Sequence, residues 1–96
     1  MNDYILFMHD DASNIDDEAW GPYFGKLRAS GRFDGGSSIG AGECMRKAGA
    51  KKDVTRHLAG YIRVRAESID DAKRFVEGNP VFEAGGTIEI RELPRD

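Results

Sequence analysis

The chain has one cysteine, two histidines and no basic block among its 96 residues. The lone Cys44 excludes an internal disulfide and any cysteine-rich metal centre. With no histidine near it in sequence, it is not read as a nucleophile. The nearest thing to a basic cluster, Arg46, Lys47, Lys51 and Lys52, is diluted by alanine and glycine. The net charge is −3, from 14 basic and 17 acidic side chains. A nucleic-acid surface needs a stronger positive bias, so no nucleic-acid partner is expected. No apolar stretch approaches the ~20 residues that span a bilayer. The first residues carry neither a basic segment nor a cleavage signal. A cytoplasmic, soluble protein without a membrane partner is therefore the expectation.

Site motifs are scarce as well. Neither histidine belongs to an HxH or HExxH spacing, so no metal and no cofactor is expected. Gly35-Gly36 and Gly40–Gly42 lack the helix-opening context that phosphate cradling requires, and turns or bulges account for them better. Gly85-Gly86 reads as a turn before the last strand.

What is present is a regular alternation of strands and helices. Tyr4 to Met8 (YILFM) is apolar at every position, which predicts a strand covered on both faces. Ser13 or Asn14 is expected to cap a helix with Asp16, Asp17 and Glu18 in its first turn. Ala19, Trp20, Tyr23, Phe24 and Leu27 recur at helical spacing up to the stop at Gly31. Pro22 places the regular helix start near Gly21 or kinks the helix. Arg32 to Ile39 reads as a glycine-rich strand, Glu43 to Lys47 as a candidate further strand, and Lys51 to Thr55 as a linker. His57 to Ala66 alternates, with Leu58, Gly60, Ile62 and Val64 on one face and His57, Ala59, Tyr61, Arg63 and Arg65 on the other. Ser68 should cap a second helix that turns Ile69, Ala72, Phe75 and Val76 inward and ends at Gly78. Asn79-Pro80 reads as a turn, and Thr87 to Leu93 as the last strand.

This order predicts one domain over residues 1–96, an α+β ferredoxin-like βαββαβ sandwich. Two helices pack on one face of an antiparallel sheet. The other face would carry Tyr61 and one apolar side of the first strand beside Arg63, Glu89 and Arg91. A face of that mixed character is best covered by a second copy of the chain, packed sheet to sheet as a homodimer.

From Leu58 to Leu93 the chain (LAGYIRVRAESIDDAKRFVEGNPVFEAGGTIEIREL) resembles the YCII-related, or DGPF-domain, family. The likeness lies in the Gly-Tyr strand, the Ser-Ile-Asp-Asp-Ala helix start, the Asn-Pro-Val turn and the closing Gly-Gly-Thr-Ile-Glu-Ile-Arg. The first strand and LRASG at the first helix end fit more loosely. The resemblance implies a dimeric α+β barrel with a cleft between sheet and loops. It also implies, for some relatives, a His–Asp dyad doing acid–base chemistry on small ring compounds. Two departures stand out. The segment where the DGPF signature belongs reads AGAKKDV, and the first helix contains no histidine.

Any imidazole chemistry must come from His9 or His57. A histidine beside a carboxylate can act as a general base near neutral pH. His9 has Asp10, Asp11 and, across the sheet, Asp34 as candidate partners. The candidate catalytic set is thus His9, Asp34 and His57, and the bland alternative is solvated strand-end residues. Trp20, Tyr61 and Arg63 are the candidate ligand-binding residues, set against core packing for Trp20 and cross-strand ion pairing for Arg63. The function expected is binding of a small organic molecule with acid–base catalysis. The alternative is a non-catalytic dimeric domain that binds a ligand or a protein and has a regulatory role.

Overall fold

A computed structural model describes residues 1–95. Four strands, β1 (Asn2–His9), β2 (Phe33–Ser38), β3 (Leu58–Ala66) and β4 (Ile88–Leu93), form one sheet in the order β2-β3-β1-β4. All three pairings are antiparallel. This is the strand order of a ferredoxin-like α+β sandwich, as the sequence predicts. Helices α1 (Trp20–Ala29), α2 (Ile69–Ala72) and α3 (Pro80–Glu83) supply the second layer. The thinnest dimension of the molecule is 18 Å, room for one sheet and one helix layer only.

The two parities of β1 separate cleanly. Tyr4, Leu6 and Met8 are buried under the helices, with Gly60, Ile62, Val64 and Ala66 of β3 beside them. Tyr23, Leu27, Ala72, Phe75, Val76 and Val81 close this core from above. Removing a side chain such as Leu6 from water is worth roughly 1.5–3 kcal/mol. Ile5, Phe7 and His9 face the other way and stay half-buried. The expected two-sided cover is therefore present on one side of the single chain, and the second side is open.

Local details depart from the expectations in four places. Asp16, not Ser13 or Asn14, caps the first helical segment, accepting from the Glu18 N–H at 3.1 Å. A 3-10 turn over Asp17–Ala19 then leads into α1. Pro22 falls within the first turn of α1, where backbone donors have no intrahelical partner, so the helix runs on without a break. Ile69 is 47% exposed and not inward. After one α turn the segment tightens into a 3-10 turn over Lys73–Phe75, and the 3.6-residue period that would place Ile69 on the core face is lost. Asn79-Pro80 does not merely turn the chain. Asn79 accepts from the Val81 and Phe82 N–H groups and opens α3 with Pro80 at its first position.

The fourth departure is Glu43 to Lys47, which forms no strand. Residues 39–57 lie outside the sheet as one long connection. Gly40, Gly42 and Gly49 and a lack of alternating apolar side chains leave it nothing to pair with. The radius of gyration, 14.9 Å, exceeds the roughly 12–13 Å expected of so short a chain when fully compact. Among the described residues no helix is long and apolar enough to cross a membrane.

Candidate active site

The open end of the sheet gathers three strand termini. A bulge between Met8 and His9 shifts the β1–β3 register, so that His9 stands opposite Leu58. Bulges of this kind re-aim a side chain. Backbone bonds then pin the ends together: the His9 N–H donates to the Thr87 carbonyl at 3.0 Å and the Asp10 N–H to the His57 carbonyl at 2.7 Å. Asp11 adds a clamp. Its carboxylate accepts from the Thr87 N–H at 2.8 Å and from the Thr87 hydroxyl at 2.6 Å. These contacts join the last residues of β1 to the segments that enter β3 and β4.

This construction brings His9, His57 and Glu89 together. His9 Nε2 lies 2.9 Å from Glu89 Oε1. The two imidazole rings are 4.9 Å apart, edge to face. The His9 and Glu89 side chains are 19% and 35% exposed, so the pair is half shielded by the sheet. The hydrogen bond from His9, with a second from Arg91 Nη1 at 3.2 Å, holds the Glu89 carboxyl below its usual range. An ionised carboxylate can only accept, so His9 Nε2 carries the hydrogen. In the neutral ring that fixes the tautomer and leaves Nδ1 as the free acceptor.

The Asp11 carboxyl is likewise held below its ordinary value of 3.8 by the Thr87 hydroxyl and then the Thr87 N–H. Groups depressed in the folded state stabilise fully above their unfolded values, and the contribution disappears as pH falls through the folded ones. The melting temperature should therefore decline on acidification from about pH 5 to about pH 3. In circular-dichroism melts Asp11→Asn should show a shallower decline. A slope identical to that of the parent chain would remove Asp11 from the account.

The other candidates lie elsewhere. Asp34 binds Arg65 Nε at 3.1 Å, and Arg65 pairs with Asp3 at the far end of β1. Six strand residues, about 20 Å, separate that end from His9. The expected His9–Asp34 partnership is thus not formed, because the β2 register delivers Asp34 to the opposite end of the sheet. Tyr61 and Arg63 share the open face with the cluster, opposite Phe7 and Ile5 respectively. Trp20 stacks on Phe24 with ring centroids 5.7 Å apart. It lines a cavity of about 380 Å³ with Met8, Gly36, Ser38 and Tyr61. Neither His9 nor His57 lines that cavity, so Trp20 is not brought into the histidine pair's site. Glu89 is the residue sequence reasoning assigned only to a charged face. Its one signal was shared parity with the open-face side chains of β1, which needs the register to interpret.

Fold and site together define a small ferredoxin-like α+β protein with a histidine–carboxylate pair on its open sheet face. A solved structure with the same fold is the 5-chloro-2-hydroxyhydroquinone dehydrochlorinase of Burkholderia phenoliruptrix AC1100, in complex with 2,5-dihydroxybenzoquinone. The two align with a TM-score of 0.63 and 19% identity, over 98% of this chain and 95% of that one. No family model matches the chain. No curated protein matches it in sequence either.

Proposed function

We propose that the chain is a YCII-like protein of the dimeric α+β-barrel type, a cytoplasmic homodimer that binds a small oxygenated ring compound and moves a proton on it. The observation that carries this reading is the 2.9 Å contact between His9 and Glu89. Glu89 orients the imidazole and His9 Nδ1 takes the proton of a ring hydroxyl, the arrangement by which a carboxylate-supported histidine acts as general base. The orienting carboxylate is assigned to Glu89 because Asp34 is engaged by Arg65. Arg63, exposed two residues along the same face from Tyr61, suits the anion that proton loss creates. Trp20 shapes a separate cavity that neither histidine lines. Half-buried Ile5, Phe7 and Tyr61 would be covered by the second copy, which supports the dimer. The solved structure of like fold, which holds a dihydroxybenzoquinone, supports the ligand class.

The test uses 2,5-dihydroxybenzoquinone as a titrant in calorimetry and 5-chloro-2-hydroxyhydroquinone as a substrate, with light scattering for mass. Saturable binding, chloride release and a dimer mass are expected. His9→Gln should lower turnover by about 10²–10⁴-fold, the usual worth of a positioned base. Turnover that survives this replacement would end the assignment. Binding without turnover in the parent chain would leave the non-catalytic ligand-binding reading in its place.

A further inference from the structure

We infer that His9, His57 and Glu89 also form a site for a divalent transition-metal ion of the zinc type, although neither histidine lies in a metal-binding sequence motif. One donor atom from each residue falls within 4.8 Å of the other two. Two imidazoles and one carboxylate are a recurrent donor set for zinc and its first-row neighbours, with further positions left open to water or ligand. Tetrahedral bonds of about 2.0–2.1 Å require donors roughly 3.3–3.4 Å apart. His9 Nε2 and Glu89 Oε1, at 2.9 Å, need to part by about half an ångström to admit an ion between them. His57 needs to close by up to about 1.4 Å, and its exposed ring is free to swing because, among the described residues, only its backbone carbonyl is hydrogen-bonded.

The surroundings suit a cation. Arg91 engages Oε2 of Glu89 and leaves Oε1 to the site. The Asp11 carboxylate is close enough to His9 to interact with it electrostatically. Imidazole donors select borderline ions over magnesium and calcium, which prefer oxygen cages. The ion would occupy the place of the hydrogen shared by His9 and Glu89, so metal and hydrogen exclude one another there. The site does not depend on the proton chemistry proposed above, since ion binding is measured with no organic ligand present.

The experiment is calorimetric titration of the chelator-treated full chain with Zn²⁺, with Co²⁺ absorption as a reporter of coordination. A Cys44→Ser background removes the one thiol that could compete. One ion per chain is expected, with a tetrahedral-type cobalt spectrum. His57→Ala and Glu89→Ala should each weaken binding by at least about 100-fold, beyond the 10–100-fold lost when a mere supporting group is removed. Asp34→Ala, at the far end of the sheet, should leave it unchanged. His57 is exposed, so its variant should keep the parent circular-dichroism spectrum. Absence of saturable binding, or affinity indifferent to His57→Ala, overturns the inference. Ring-compound binding and turnover measured in chelator test the other reading separately.

Discussion

Asn79→Ala should destabilise the fold by about 3 kcal/mol and lower the melting temperature by roughly 12–24 °C. Asn79 is completely buried, yet all its polar atoms have work. Its Oδ1 accepts from the Val81 N–H at 2.9 Å and the Phe82 N–H at 3.2 Å, and its Nδ2 meets the Met8 sulfur at 3.6 Å. It also faces Tyr23, whose phenol burial pushes above its ordinary pKa of 10.0 while Asn79 opposes the shift. Losing a helix cap costs about 1 kcal/mol, and each buried amide left without a partner roughly 1–3 kcal/mol more. Asn79→Ser keeps an acceptor at the cap and should recover about 1 kcal/mol of the loss. Urea denaturation of the three chains measures this. An alanine variant within 1 kcal/mol of the parent would mean that α3 is not anchored through Asn79.

Gly36→Ala should cost about 2–3 kcal/mol, the range for forcing extra volume into a packed site. A methyl group there would overlap the Tyr61 carbonyl oxygen and approach Ile62 Cα to 3.1 Å. Both obstacles are backbone, so no rotamer change relieves them, and β2 must move off β3. The lining of the Trp20 cavity should move with it, which tryptophan fluorescence would report. Gly25→Ala is the contrast: nothing lies within 4 Å of its added Cβ in the middle of α1. That change should stabilise by about 0.5–1 kcal/mol. Equal effects of the two substitutions would show that β2 is not held as closely to β3 as the register implies.

The elements that were legible in the sequence were those whose own residues fix them. The alternation in His57 to Ala66 identified β3 and put Gly60, Ile62 and Val64 on the core face, but not Leu58, which the bulge sets opposite His9 and outside the buried core. Ser68 announced α2, accepting from the Asp71 N–H at 3.1 Å. Residues 39–57 were misread in part because a glycine-rich run without periodicity carries little local information. The site was legible by half. His9 and His57 were visible as the only imidazoles, but Glu89 is 80 residues from His9. Their meeting depends on the β1–β4 register and on the Asp11–Thr87 clamp, neither of which any short window of sequence encodes. Asp34 failed for the same reason in reverse, since a bulge between Phe33 and Gly36 fixes where β2 delivers it.

The separation of parities in β1 has a bearing on how this protein can change. Odd positions meet the open face and even positions the core, so an open-face residue can be exchanged while its neighbours go on holding the helices. Mutations at Ile5, Phe7 or Arg63 should therefore be more nearly additive with mutations in the helix layer, such as Phe75 or Val81, than with mutations at their strand neighbours. A library confined to Ile5, Phe7 and Arg63 could alter the ligand and the pairing of two copies while the helix-packed side of the sheet stays as it is.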